Sequence, residues 1–243
     1  MPVLTRQCSL DRRPWPQRAL SVATRPLTRY LSAQAAHPHG LGGPLIGRLW
    51  VKETAKTNDA ALDLLAPGPD EDILEIGFGP GRTLGLLVER GAQVTGVDVS
   101  EEMVRLAGRR NSEHVRTGAL TLYRGDGVTL PLDDNSQDAV LSVHNLYFWP
   151  TPEATIAEIA RVVRPGGRIL MVFRGREHPL PNRLDPDVYA DVTTDQCIAW
   201  LAAAGLEGQC HQPDGAPSEV SFVLASARRE AFTTPDGTHA GQV

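Results

Sequence analysis

Asp72-Ile73-Leu74-Glu75-Ile76-Gly77-Phe78-Gly79-Pro80-Gly81-Arg82 is the stretch on which the reading of this chain turns. Its first five residues are short, mostly apolar and isoleucine-bearing, which predicts a buried strand over 72–76. Three glycines at alternate positions follow. They predict a turn in which the backbone takes positive φ and lets a ligand come close. A helix over 82–90 follows the turn.

The same alternation continues outward. Gln93–Val97 reads as a second strand ending at Asp98, and Ser100 as the N-cap of a helix running to Arg110. Further strands are predicted over 120–123, 138–143 and 168–173, with a helix over 152–163 and a tight turn at Arg164-Pro165-Gly166-Gly167. A helix capped by Thr193 or Thr194 and closed by Gly205 precedes two late strands, 206–211 and 220–226. Their short Pro/Gly connection makes them an antiparallel pair at one edge. Apolar strands alternating with helices give an α/β fold: a doubly wound, mostly parallel seven-stranded sheet with one antiparallel edge strand. Upstream, Leu45, Leu49, Trp50, Ala55, Ala61, Leu62 and Leu65 recur at helical spacing until Gly68-Pro69.

In an open sheet of this kind a ligand sits at the carboxyl ends of the strands. Asp98 ends the second strand, 17 residues past Gly81. An acid there can take two ribose hydroxyls, so the ligand reads as a nucleoside, although Asp98 also suits a helix N-cap. A dinucleotide needs G-x-G-x-x-G, but this loop is G-x-G-x-G followed by Arg82. Glu75 stands just before the first glycine. A carboxylate repels a pyrophosphate and favours a cationic amino-acid group, which points to S-adenosylmethionine over NAD.

Taken together, Glu75–Gly81, Val97-Asp98-Val99-Ser100, Gly125-Asp126-Gly127 and Arg164–Gly167 resemble the ordered motifs of class I S-adenosylmethionine-dependent methyltransferases, over roughly residues 70–174. Asn145-Leu146-Tyr147-Phe148-Trp149-Pro150 further resembles the small-molecule branch of ubiquinone/menaquinone-biosynthesis type. The resemblance implies a Rossmann-like methyltransferase fold and a methyl transfer that leaves S-adenosylhomocysteine. It implies that Gly77, Gly79 and Gly81 border the methionine moiety with Glu75 supporting the loop, and that Asp98 holds the ribose. Val99 or Met103 would pack on the adenine. Asp126 would accept from its amino group, with Gly125, Gly127 or Val128 beside it. His144 and Asn145 would face the donor methyl and the acceptor. Asp126 in Gly-Asp-Gly is also plain turn chemistry, and Met103 is also a plain core position.

Methyl transfer is an in-line displacement on an activated sulfonium, so alignment and desolvation dominate. Tyr147, Phe148 and Trp149 offer an aromatic wall to a cationic methyl, or else pack in the core. His144 is the best-placed base for a phenol or carbon acceptor, with an ordinary pKa in the useful range, and Tyr147 stands next to it. His37, His39 and His178 are weaker candidates. The Asn/Asp-Pro-Pro-aromatic motif of nucleic-acid amino-methyltransferases is absent after the fourth strand, as is the carboxylate of aminopropyl transferases. The short segment 175–191 leaves little room for a lid, so the cover is expected from residues 30–60. Glu53 and Asn58 there either reach the site or are solvated.

Composition narrows the rest. The chain has 243 residues, a net charge of −5 and a pI near 5.8, a field that repels nucleic acid. No apolar run approaches the ~18 residues of a membrane helix. Three scattered cysteines, Cys8, Cys197 and Cys210, fit neither a disulfide framework nor a zinc site, so a reducing, cytoplasmic setting and no metal are expected. Residues 1–33 carry six arginines against one acid. They read as a basic arm, with a transit segment as the lesser reading. The expected division is arm 1–33, helical cover 34–66, cofactor-binding catalytic domain 67–230 and tail 231–243. A protein or RNA acceptor engaged through the arm, a non-catalytic nucleoside-binding protein and an NAD-dependent oxidoreductase are the competing readings.

Overall fold

The computed structural model describes residues 25–36, 43–178, 180–181 and 184–227. The elements run α1 (Arg25–Ala36), α2 (Gly43–Leu65), β1 (Asp72–Ile76), α3 (Arg82–Glu89), β2 (Gln93–Asp98), α4 (Glu101–Arg110), α5 (Ser112–Thr117), β3 (Leu120–Arg124) and β4 (Gln137–Val143). A 3₁₀ turn, Leu146–Phe148, leads to α6 (Pro152–Val162), β5 (Val163–Phe173), α7 (Thr194–Ala203), β6 (Leu206–His211) and β7 (Ser221–Ala227).

The sheet order is β3-β2-β1-β4-β5-β7-β6, and β7 alone runs against its neighbours, one place in from the β6 rim. Strand order reverses at β1, with β2 on one side and β4 on the other. The register Ile76↔Val97, Asp98↔Arg124 and Val143↔Val172 brings the ends of five strands to one rim.

Side-chain alternation along the strands divides the core in two. Ile73, Leu141, Leu170 and Val172 face α2, α3 and α4 with Leu84, Leu87, Met103 and Phe222. Leu74, Ile76, Val140, Ile169 and Met171 face α6 and α7 with Ile156, Ile159, Leu201 and Val223. At the opposite rim Arg168 clamps Glu71 at 2.6 Å and also binds the Leu65 carbonyl at 2.7 Å. That guanidinium holds the Glu71 carboxyl below its usual range.

Three expectations are refined. The Arg164–Gly167 turn does not separate helix from strand. It is an irregularity inside β5, where the register jumps from Gln137↔Val163 to Ala139↔Arg168, and Gly166 supplies the positive φ of 81°. The boundary at 33/34 falls inside α1. Pro26 lies in that helix's first turn, where a missing N–H costs nothing. The boundary at 66 crosses no gap either, because Ala61, Leu62 and Leu65 of α2 are fully buried against the sheet. Among the described residues no helix is long and apolar enough to cross a membrane, and no cluster of His, Cys, Asp or Glu could hold a metal ion.

Candidate active site

The glycine loop leaves β1 and is fixed before α3 begins. Gly77, Gly79 and Gly81 all have positive φ (72°, 55° and 76°), a conformation that L side chains resist. Their surroundings differ. A Cβ on Gly77 would strike the Asn145 carboxamide, and one on Gly81 would lie 2.6 Å from Ala107 Cβ. A Cβ on Gly79 would meet nothing within 4 Å, so backbone conformation alone demands glycine there. Asn111 fastens the loop's far end by donating to the Gly81 carbonyl at 2.8 Å.

Asp98 is the hub. It is 6% exposed, and its two oxygens accept from Gly79 N and Ser100 N, each at 2.9 Å. The sequence reading gave this acid two ribose hydroxyls. Each is half committed, with one lone-pair direction left. The carboxyl therefore positions the loop as well as facing the site. Burial pushes it up to about 6, against the pull of the two amides. Ser100 caps α4 by accepting from Met103 N at 3.3 Å, as expected.

Glu75 lies beneath the loop, 3% exposed, with Oε2 buried and without a hydrogen-bond partner among the described residues. Burial, and then the charge of Asp98, push its carboxyl well above the usual range. An orphaned buried acid beside a glycine cradle suits a ligand that brings a positive charge. A pyrophosphate would meet two carboxylates there.

The adenine-side residues separate. Val99 is exposed and available. Met103 is 1% exposed and packs with the apolar residues of α3 and α4, the plain core position open to it from the sequence. Its place three residues after the N-cap turns it inward, against the sheet. Asp126 is exposed, and its Oδ1 accepts from Val128 N at 3.0 Å, so it closes an Asx turn. Gly125 N donates to the Asp98 carbonyl at 3.0 Å, tying this turn to β2. Gly127 has φ +83° and little room, since a Cβ would lie 3.2 Å from Thr155 Cγ2.

The acceptor-side residues need more correction. His144 directly follows β4 with φ +60°, an uncommon conformation for a non-glycine residue, held by His144 N donating to Val172 O at 2.7 Å. Desolvation, with help from the Arg174 charge, pushes the imidazole down to about 4, so a pKa in the useful range is not what the fold supplies. Asn145 commits its amide nitrogen to the fold. Its Nδ2 donates to Val143 O (2.8 Å), Gly77 O (3.0 Å) and Ile76 O (3.1 Å). It is a brace between β4 and the glycine loop. Tyr147 and Trp149, each 8% exposed, belong to the core beside α6, because the 3₁₀ turn draws them back under the rim. Burial also pushes the Tyr147 hydroxyl well up, against proton exchange near neutral pH. Phe148 is only partly buried and joins Tyr147 and Tyr189 in a trio with ring centroids 4.7–4.9 Å apart.

Around the rim, Asn58 is half-buried and bonds within its own helix to Thr54. The side chain of Glu53, and His37 and His39, lie outside the described residues. Ser32 of α1 is fully buried and accepts from Asp185 N at 2.7 Å, so α1 holds the segment leading to Tyr189. Sequence reading missed Tyr189, Arg174, Asn111 and the Ser32 contact. Arg174 was the most accessible of these, since it immediately follows a strand whose end borders the site.

An open, mostly parallel sheet with a glycine loop and an acid at the ends of adjacent strands is the arrangement of nucleoside-binding α/β proteins. Comparison with known proteins makes this particular. A methyltransferase-domain family model matches residues 74–171. An uncharacterized methyltransferase of Bacillus subtilis, YdaC, is 31% identical over 192 residues, covering 77% of this chain and 99% of that protein. A demethylmenaquinone methyltransferase of Corynebacterium kroppenstedtii is 36% identical over 124 residues, 51% of this chain but only 48% of its own length. The crystal structure of an S-adenosylmethionine-dependent methyltransferase from Aquifex aeolicus superimposes with a TM-score of 0.58 at 19% identity, covering 70% of this chain and 88% of that one, a likeness of fold. The chain belongs to the class I S-adenosylmethionine-dependent methyltransferases.

Proposed function

We propose that the protein moves the methyl group of S-adenosylmethionine to a small-molecule acceptor by in-line displacement. The observation that carries this reading is the pairing of Asp98, wired to Gly79 and Ser100, with the orphaned Glu75 beneath the same loop. The residues present fit the cofactor. Asp98 takes the ribose hydroxyls on its remaining lone pairs. Gly77, Gly79 and Gly81 border the methionine part, with Glu75 toward its ammonium. Val99 lies along the adenine, and Asp126 and Gly127 lie at its edge. The bound cofactor supplies an already activated methyl group. The chain's own residues then orient the acceptor, exclude water and hold the loop.

A small acceptor is supported by the net charge of −5 and by the menaquinone-type relative. His144 and Phe148 face that acceptor in this reading, and helices α1 and α2 cover it. Calorimetric titration with S-adenosylmethionine, S-adenosylhomocysteine and NAD tests the assignment. The adenosyl sulfur compounds should bind and NAD should not. Release of S-adenosylhomocysteine over a panel of phenols, carboxylic acids and amines should follow; binding without turnover over that panel counts against catalysis.

His144 acts here as a neutral polar contact. His144→Gln should slow turnover by less than the ~10²-fold that a general base supplies, and kcat should stay level from pH 6 to 8 in the parent protein. A parent profile with an acid limb near 6.5 that disappears in the variant would restore the base.

A further inference from the structure

The turn after β4 lays an amide against the glycine loop and leaves one end of it uncommitted. His144 N still donates to Val172 O, which keeps that residue in register with β5. Its positive φ then turns the chain out of the strand. Asn145 comes next, and its side chain meets β1. Nδ2 donates to the carbonyls of Val143, Gly77 and Ile76. We infer that the other end of this amide, Oδ1, accepts a hydrogen bond from the ammonium of the cofactor's amino-acid tail, so that Asn145 and Glu75 together fix which way that tail points. This rests on the methyl-transfer reading and adds a specificity-determining residue to its site.

The amide is held one way round. Turning it over would set Oδ1 against three carbonyl oxygens, all of them acceptors. Its place is equally fixed. A Cβ built on Gly77 would lie 2.2 Å from Asn145 Cγ, 2.3 Å from Oδ1 and 2.4 Å from Nδ2. Such even distances lay the carboxamide flat over Gly77, so Oδ1 borders the residue that the methyl-transfer reading sets beside the methionine part. Among the described residues no donor reaches Oδ1. The fully buried oxygens without a partner there are Glu75 Oε2, Gln137 Oε1 and Ser142 Oγ. Asn145 Oδ1 is not one of them and stays open to a ligand.

The chemistry of this corner selects what it takes. Glu75 precedes Gly77 by two residues, and once ionised it only accepts. Oδ1 only accepts as well, and the amide nitrogen beside it is committed to carbonyls. A carboxylate would find no donor here. An ammonium brings three donors and no acceptor, and each one that leaves water needs a partner. Glu75 supplies the opposite charge. Asn145 supplies a second acceptor without a second charge.

Calorimetry tests this with S-adenosylhomocysteine and its analogue in which hydrogen replaces the amino group. The parent should prefer S-adenosylhomocysteine, and Asn145→Ala should shrink that preference by about tenfold or more, the worth of a hydrogen bond to a charged group. Loss of the brace alone weakens both compounds by one factor and leaves the ratio intact, a result that overturns the inference. So does a parent without the preference. A second measurement uses the parent alone. The chain has five asparagines, so selective 15N labelling leaves five side-chain amides to resolve by NMR. Asn111, which holds the Gly81 carbonyl, is the internal comparison. S-adenosylhomocysteine should shift the Asn145 amide well beyond the shift its deaminated analogue gives, while Asn111 responds alike to both. Equal Asn145 shifts, or none, overturn the inference even where Asn145→Ala does not fold. A parent that binds neither compound overturns the methyl-transfer reading itself.

Discussion

Asp98→Ala is expected to lower affinity for S-adenosylmethionine by about 30- to 700-fold, or about 2–4 kcal/mol, with little loss of folded protein. Two effects add. The ribose loses its charge-assisted acceptors, and Gly79 N loses the carboxylate that orients the middle of the glycine loop. Folding itself should not suffer. A carboxyl moved from 3.8 to about 6 by burial costs the folded state about 3 kcal/mol when ionised, so its removal offsets the lost amide bonds. Asp126→Ala is the comparison, because that carboxylate is exposed and closes a local turn. Its effect should be about tenfold or less. Calorimetry of both variants with S-adenosylhomocysteine decides it. Equal losses would mean that Asp98 is not the ribose acceptor and serves only to hold the Gly79 and Ser100 amides.

Why Asp98 was legible and the acceptor side was not comes down to where information sits in a chain. Gly77, Gly79 and Gly81 need positive φ, a local demand, and local demands leave residue-type signatures. The same holds for Ser100 before Met103 and for Thr193 before Gln196, both side-chain caps in the structure. The strands were legible because two covered faces leave few polar positions in the middle of a strand. The orientation of one side chain in a well-formed element is not local. Met103 and Val99 are four residues apart and equally apolar, yet packing buries one and leaves the other out. Asn145 looked like a substrate contact because amides suit ligands; its partners are carbonyls 68 and 69 residues earlier, brought near only by the β1–β4 pairing. Tyr147 and Trp149 differ from Phe148 only through a 3₁₀ turn that short sequence patterns do not announce. Helix α1 was missed because residues 1–33 were read from their arginines as a basic arm; Pro26 lies in the first helical turn, where proline is tolerated.

Glu75→Gln should move two quantities in opposite directions, and that opposition is its diagnostic. The first is the stability of the ligand-free protein. Glu75 is buried with an orphaned oxygen, and its folded pKa stands above the unfolded value of 4.5. For a carboxyl shifted that way, the stabilising term is complete below the unfolded pKa and is lost as pH rises through the folded pKa. Gln stays neutral throughout. The variant should therefore melt higher than the parent at pH 8, and the gap should close as the pH is lowered toward 4.5. Each kcal/mol shifts Tm by roughly 2–4 °C in a chain of this size. His144, pushed down to about 4, makes both proteins lose stability as pH falls below 6.5. The difference between the two melting curves removes that common slope. The second quantity is affinity. An ammonium placed over Glu75 draws the carboxyl into its ionised form, so Glu75→Gln should weaken S-adenosylmethionine binding by about 10- to 100-fold, the range of a charged hydrogen bond. 5′-Methylthioadenosine has the nucleoside and the sulfur but no amino-acid group, and its affinity should be unchanged. Loss of both ligands in parallel would make Glu75 a support of the loop and not a partner of the ammonium. A variant that melts lower at every pH would show that the buried oxygen is satisfied within the fold, and the argument for a cationic ligand at this acid would go with it.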